Sequence, residues 1–147
     1  MNQDKSLFKI TPFSQRIEKP WGYEIIFTPE ISPIAGKLLH INAQARFSLQ
    51  YHDEKQETLF LASGRANIII ENEKGKLETI EMEPQKGYYI APFQKHRCQA
   101  ITDCDILEAS TKEKGTTVRI EDDYKRTDET EEDRKSLRNK LPNEKEY

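Results

Sequence analysis

Short runs rich in aliphatic and β-branched residues recur along this chain, several alternating with polar positions. They are residues 23–28, 36–43, 45–52, 57–63, 65–72, 76–83, 88–92, 96–102 and 105–111. Runs of this length and composition predict β-strands. Turn chemistry separates them at Ser63-Gly64, Glu73-Lys74-Gly75, Pro84-Gln85-Lys86-Gly87 and Lys112–Gly115, where glycine and proline permit tight reversals. No stretch before residue 112 carries a sustained helical period, so the predicted class is all-β. After Glu121 the pattern collapses into charged residues with few apolar ones. A short helix capped at Thr127 or Asp128 and running to about Leu141 is the one element expected there, with Pro142 stopping it. Solvated disorder of the last residues is the other expectation for this tail.

Length and composition fit one small domain. A chain of 147 residues with 35% hydrophobic content supports a single core, and a closed barrel suits limited apolar mass because closure removes sheet edges. Positive and negative groups nearly balance: 23 Lys and Arg against 26 Asp and Glu, a net charge of −3. That balance argues against a nucleic-acid surface. No apolar run is long enough to span a bilayer and the N-terminal residues lack a secretory core, so a cytoplasmic protein without a membrane partner is expected. Cys98 and Cys104 flank a turn that does not set them opposite each other, so no disulfide is expected.

Candidate chemistry lies in two segments. Gln50 and His52 are two apart on a predicted strand and leave the same face, and Glu57 follows across a turn. His96 follows a second strand and turn beginning at Gly87. A lone histidine in a strand is most often structural. Two imidazoles, a carboxylate and an amide oxygen arriving from paired strands are instead a ligand set for one divalent cation.

The spacing Gln-x-His-x4-Glu-x6-Gly, followed by Gly-x4-Pro-x3-His, resembles the paired motifs of the cupin superfamily. More narrowly, residues 18–127 resemble the cupin domain of type II mannose-6-phosphate isomerases. The resemblance rests on KPWGYE, Lys37, ARFSLQYH, the Glu57–Gly64 run, His96-Arg97 and VRIEDDYKR. It implies a single small double-stranded β-helix, or jelly-roll, barrel over 18–127, with an N-terminal extension (1–17) and a charged tail (128–147). It also implies one divalent metal held by Gln50, His52, Glu57 and His96, zinc first, with manganese, iron, cobalt or nickel as alternatives. Lys37 and Arg46 are then substrate-binding cations, Arg46 entering the cavity by strand parity, and Glu108 and Arg119 are the catalytic pair.

The implied function is aldose–ketose isomerisation of a sugar phosphate. A non-catalytic sugar-binding or regulatory cupin is the alternative, and an iron-dependent oxygenase, disfavoured by the amide ligand, the third. A homodimer is expected from the resemblance alone. Two departures stand out. Gln44 and the run PFQKH lack glycines that the motifs usually carry, so both turns are expected to close differently. Trp21 is expected to pack the barrel end, His40 to face away from the cavity, and Arg97 to point outward, toward an interface.

Overall fold

A computed structural model describes residues 2–140. Eleven strands form two antiparallel sheets. They are β1 (Gln15–Lys19), β2 (Gly22–Ile26), β3 (Ile34–Ile41), β4 (Leu49–His52), β5 (Glu57–Ser63), β6 (Ala66–Glu71), β7 (Leu77–Glu81), β8 (Gly87–Ile90), β9 (His96–Ala100), β10 (Cys104–Thr111) and β11 (Thr117–Glu121). One sheet has the order β1-β2-β3-β10-β5-β8 and the other β11-β4-β9-β6-β7. Among the described residues no helix is long and apolar enough to cross a membrane.

The core fills the space between the sheets. Leu39, Ile41, Leu59, Leu61, Ile90 and Ile106 come from the six-stranded sheet, and Leu49, Ala66, Ile68, Cys98 and Ala100 from the other. Their alternation along each strand is what the pleat requires when one face is buried. The same alternation carries polar residues inward toward one end of the barrel. On β5, Glu57 continues the inward row of Leu59 and Leu61; on β10, Glu108 continues that of Ile106; on β9, His96 continues that of Cys98. Register then sets neighbours: Lys37 opposite Glu108, Glu57 opposite Ser110, Gln50 opposite His96 and Thr117 opposite His52.

Each of the two glycine-lacking turns contains a residue with positive φ: Gln44 has φ 69° and Phe93 φ 68°, the left-handed conformation that a glycine takes most readily. A residue with a side chain takes it at a cost of roughly 1 kcal/mol. Around Phe93 the turn is braced on three sides: Phe93 N donates to the His52 carbonyl (2.7 Å), Ala91 N donates to Gln94 Oε1, and Gln94 Nε2 donates to the Glu71 carbonyl. Gly64 is different in kind. With φ 77°, a Cβ there would lie 2.1 Å from the Asp103 carbonyl oxygen, so only glycine fits.

The tail helix is α1 (Glu131–Lys140), and its cap lies later than the sequence predicts. Thr130 Oγ1 accepts from Asp133 N and Asp133 Oδ2 accepts from Thr130 N, a reciprocal cap. Asp128 is otherwise engaged, accepting from Arg119 N, and Glu129 bridges Thr117 through two backbone hydrogen bonds. The expected end at Leu141 and the stop at Pro142 lie outside the described residues. Arg97 is also corrected. It is 3% exposed and donates from Nε to the Phe47 carbonyl, so it is buried within its own chain.

Candidate metal centre

His52, Glu57 and His96 bring their ligand atoms within 4.8 Å of one another, and each side chain is almost fully buried. Glu57 Oε1 lies 3.0 Å from His96 Nε2 and 3.5 Å from His52 Nε2. The far nitrogen of each ring is held: His96 Nδ1 by the Gln94 carbonyl at 2.9 Å, and His52 Nδ1 by Thr117 Oγ1 at 3.0 Å. A carbonyl only accepts, so His96 Nδ1 carries a hydrogen and Nε2 is the ring atom aimed at the carboxylate. Both Nε2 atoms are buried without a hydrogen-bond partner. Acceptors converging in a dry site are stable when a cation lies among them, so the residues present fit a metal.

Charge is arranged to keep these donors ready. Burial, then the nearby Lys55 ammonium, lowers His52 to about 4, so its ring is neutral at pH 7. Burial works against ionisation of Glu57, yet the Lys55 ammonium leads the groups that outweigh it and hold the carboxyl well below the usual range. Gln50 lines the same cavity, but its Oε1 accepts from Ser48 Oγ at 2.7 Å. Three expected ligands thus meet, while the fourth has a competing partner.

The remaining sequence-predicted residues divide. Lys37, Glu108 and Arg119 line the cavity. Lys37 pairs with Glu113 and lies 3.8 Å from Glu24. Glu108 is 6% exposed; burial, then the charge of Glu57, raises it to about 7. The Arg119 guanidinium is 3.6 Å from Glu129 and donates to the Thr127 carbonyl. Arg46 is corrected: it points out of the cavity, where it grips Asp123 with two hydrogen bonds of 2.7 and 2.8 Å. Strand parity misplaces it because β4 begins only at Leu49. Phe47 and Gln50 both line the cavity although three residues apart, so alternation breaks between them.

Two cavity residues have no sequence signal. Lys55 lies in the β4–β5 turn among Asp53, Glu54 and Gln56, all polar, yet it is 6% exposed and reaches inward. Glu113 falls in a stretch that reads as turn punctuation, yet it faces Lys37 and Lys55. His40 faces away, stacked on Tyr23 and bonded to Asp105. Trp21 packs against Phe47, and both cysteines are buried and free.

No family model and no curated protein sequence matches the chain. Solved structures do. An oxalate decarboxylase of Bacillus subtilis is 20% identical with TM-score 0.59, over 67% of this chain and 27% of that one. The Lactobacillus farciminis oxalate decarboxylase in its formate complex is 18% identical with TM-score 0.60, over 70% and 33%. KdgF from Halomonas sp. is 13% identical with TM-score 0.58, over 69% and 88%. These are cupin-fold proteins, and the chain has the cupin fold. It spans about a quarter of the Bacillus subtilis decarboxylase, which carries Mn(II) centres.

Proposed function

We propose that the chain is a metal-dependent aldose–ketose isomerase acting on a sugar phosphate of the mannose 6-phosphate type. The observation that carries this reading is Glu108, a buried carboxyl raised to about 7 in the same cavity as His52, Glu57 and His96. A base with a pKa near the working pH combines availability with proton affinity. Bound by these residues, with Gln50 beside them, a divalent cation supplies polarisation of a carbonyl and its neighbouring hydroxyl; zinc or manganese suits the donor set. Glu108 takes the proton from C2 and returns it to C1, while the hydroxyl proton moves from O2 to O1. Lys37 and Arg119 supply positive charge for the phosphate end, and burial keeps water from quenching the transferred proton. The same reading takes a cytoplasmic homodimer, paired through the apolar outer face around Ile34, Ala35, Tyr89 and Ala109.

A second reading, a non-catalytic sugar-binding cupin, is supported by the pairing of Glu108 with Lys55 at 3.3 Å, which competes with its use as a base. The cavity holds about 70 Å³, against the roughly 300 Å³ or more of usual ligand pockets, so under either reading entry of a sugar requires the mouth to open.

One experiment separates them. Purified wild type is expected to carry about one divalent metal per chain, with His52→Ala losing it by elemental analysis. Wild type in D₂O should exchange the C2 hydrogen of mannose 6-phosphate, whereas Glu108→Gln keeps the metal and turns over roughly 10²–10⁴-fold more slowly. Metal and sugar binding without exchange would select the binding role; absence of metal from the wild type would remove both forms of the metal reading.

A further inference from the structure

We propose that Lys55 is a positioning residue for Glu57, its ammonium holding Oε2 so that Glu57 offers Oε1 alone to the metal. The inference rests on His52, Glu57 and His96 being metal ligands and assigns a role to a residue outside that set.

The two oxygens of Glu57 are divided between two environments. Oε1 faces both imidazoles, at 3.0 and 3.5 Å, whereas Oε2 lies 3.1 Å from Lys55 Nζ, an ion-pair contact without hydrogen-bond angles. A free carboxylate can close on a cation with both oxygens, and one whose second oxygen is held by an ammonium offers only the first. Each imidazole already has an outer partner, Thr117 or Gln94, that fixes its aim. Lys55 completes that set for the carboxylate, as outer partners of metal ligands generally do.

Lys55 is committed to this place. Its side chain is 7% exposed, and its ammonium also meets Glu108 Oε2 at 3.3 Å and Glu113 Oε1 at 3.8 Å. A lysine is rarely buried unless paired, and here three carboxylates surround its three donors. Lys37 cannot substitute for it, because Glu113 and Glu24 already engage that ammonium. The bridge from Glu57 through Lys55 to Glu108 also separates two buried negative charges. One oxygen from Glu57, rather than two, leaves a position beside the metal open to a substrate oxygen.

The test uses the full chain, with Co(II) alone as probe, in wild type, Lys55→Met and Lys55→Arg. Cobalt with few ligands absorbs visible light strongly, and its bands fade as coordination approaches a centrosymmetric six. Co(II)-loaded Lys55→Met is expected to lose most of the wild-type visible intensity as Glu57 closes with both oxygens, and Lys55→Arg to restore it. A charge or packing role alone leaves the spectrum in place, so superimposable spectra of wild type and Lys55→Met would overturn the proposal. Should Lys55→Met not fold, Lys55→Leu, which likewise has no donor, carries the same comparison. A wild type that takes up no Co(II) fails at the metal reading itself, a result distinct from bound cobalt with an unchanged spectrum.

Discussion

Gln44 carries its left-handed backbone at a cost that glycine would not incur. Its side chain returns part of that cost by donating from Nε2 to the Ile101 carbonyl, but this bond is exposed and worth little. Gln44→Gly is therefore expected to raise stability by about 0.5–1 kcal/mol, read as a higher denaturation midpoint with an unchanged slope. Glu108 sets a pH dependence. Its carboxyl titrates near 7 in the folded chain against 4.5 unfolded, so between those values the folded state holds the extra proton. Its contribution is complete below about 4.5 and is lost as pH rises through 7. Glu113 has the opposite sign: burial is outweighed by Lys37 and Lys55, which hold it well below the usual carboxylate range, and its contribution is lost in acid. Wild type and Glu108→Gln share Glu113, so their difference isolates Glu108. With metal removed by chelator, wild type is expected to lose about 2.5 kcal/mol more than Glu108→Gln between about pH 5 and 8. Parallel melting curves across that range would contradict this.

At the scale of elements, α1 is the piece held least by packing. None of its residues is buried, though acidic groups in its first turn and basic ones in its last complement the helix dipole. Its attachments are polar: Arg134 to Glu113 at 3.6 Å, Arg138 to Glu30 at 3.1 Å, and Gln15 Nε2 donating to the Arg138 carbonyl. Amides of α1 are expected to exchange roughly 10³-fold or more faster than those of central β10. Near 1 M salt, where screening acts within about 3 Å, α1 should exchange faster still while β10 is unaffected. Equal protection of the two would mean that packing holds the helix. Strand legibility follows the same physics. β5 and β10 are readable because one face is buried aliphatic, whereas β1 hides its inward row behind Gln15 and a single Ile17. The inward His52, Glu57 and His96 are readable from spacing, because strand pairs fix their faces. Lys55 is not, because a turn has no period from which to infer direction, and parity misplaces Arg46 because the strand that would set its direction begins only at Leu49.

For the whole molecule, the two sheets close over a core that is apolar at one end and ionic at the other. The ionic end forms a chain of contacts from α1 inward: Arg134 to Glu113, Glu113 to Lys37 and Lys55, and Lys55 to Glu108 and Glu57. A helix that lifts away removes the Arg134 cation from this chain, linking the position of the tail with the charge balance of the cavity. The apolar end has a further property. Cys98 on one sheet and Cys104 on the other are 0% and 1% exposed and unpaired, and burial raises both thiols, Cys104 to about 11. Thiolates are the reactive form, so both cysteines are chemically silent while the sheets stay together. The protein thus carries its own clock for barrel opening: the rate at which an alkylating reagent finds these two sulfurs counts the moments when the sheets part.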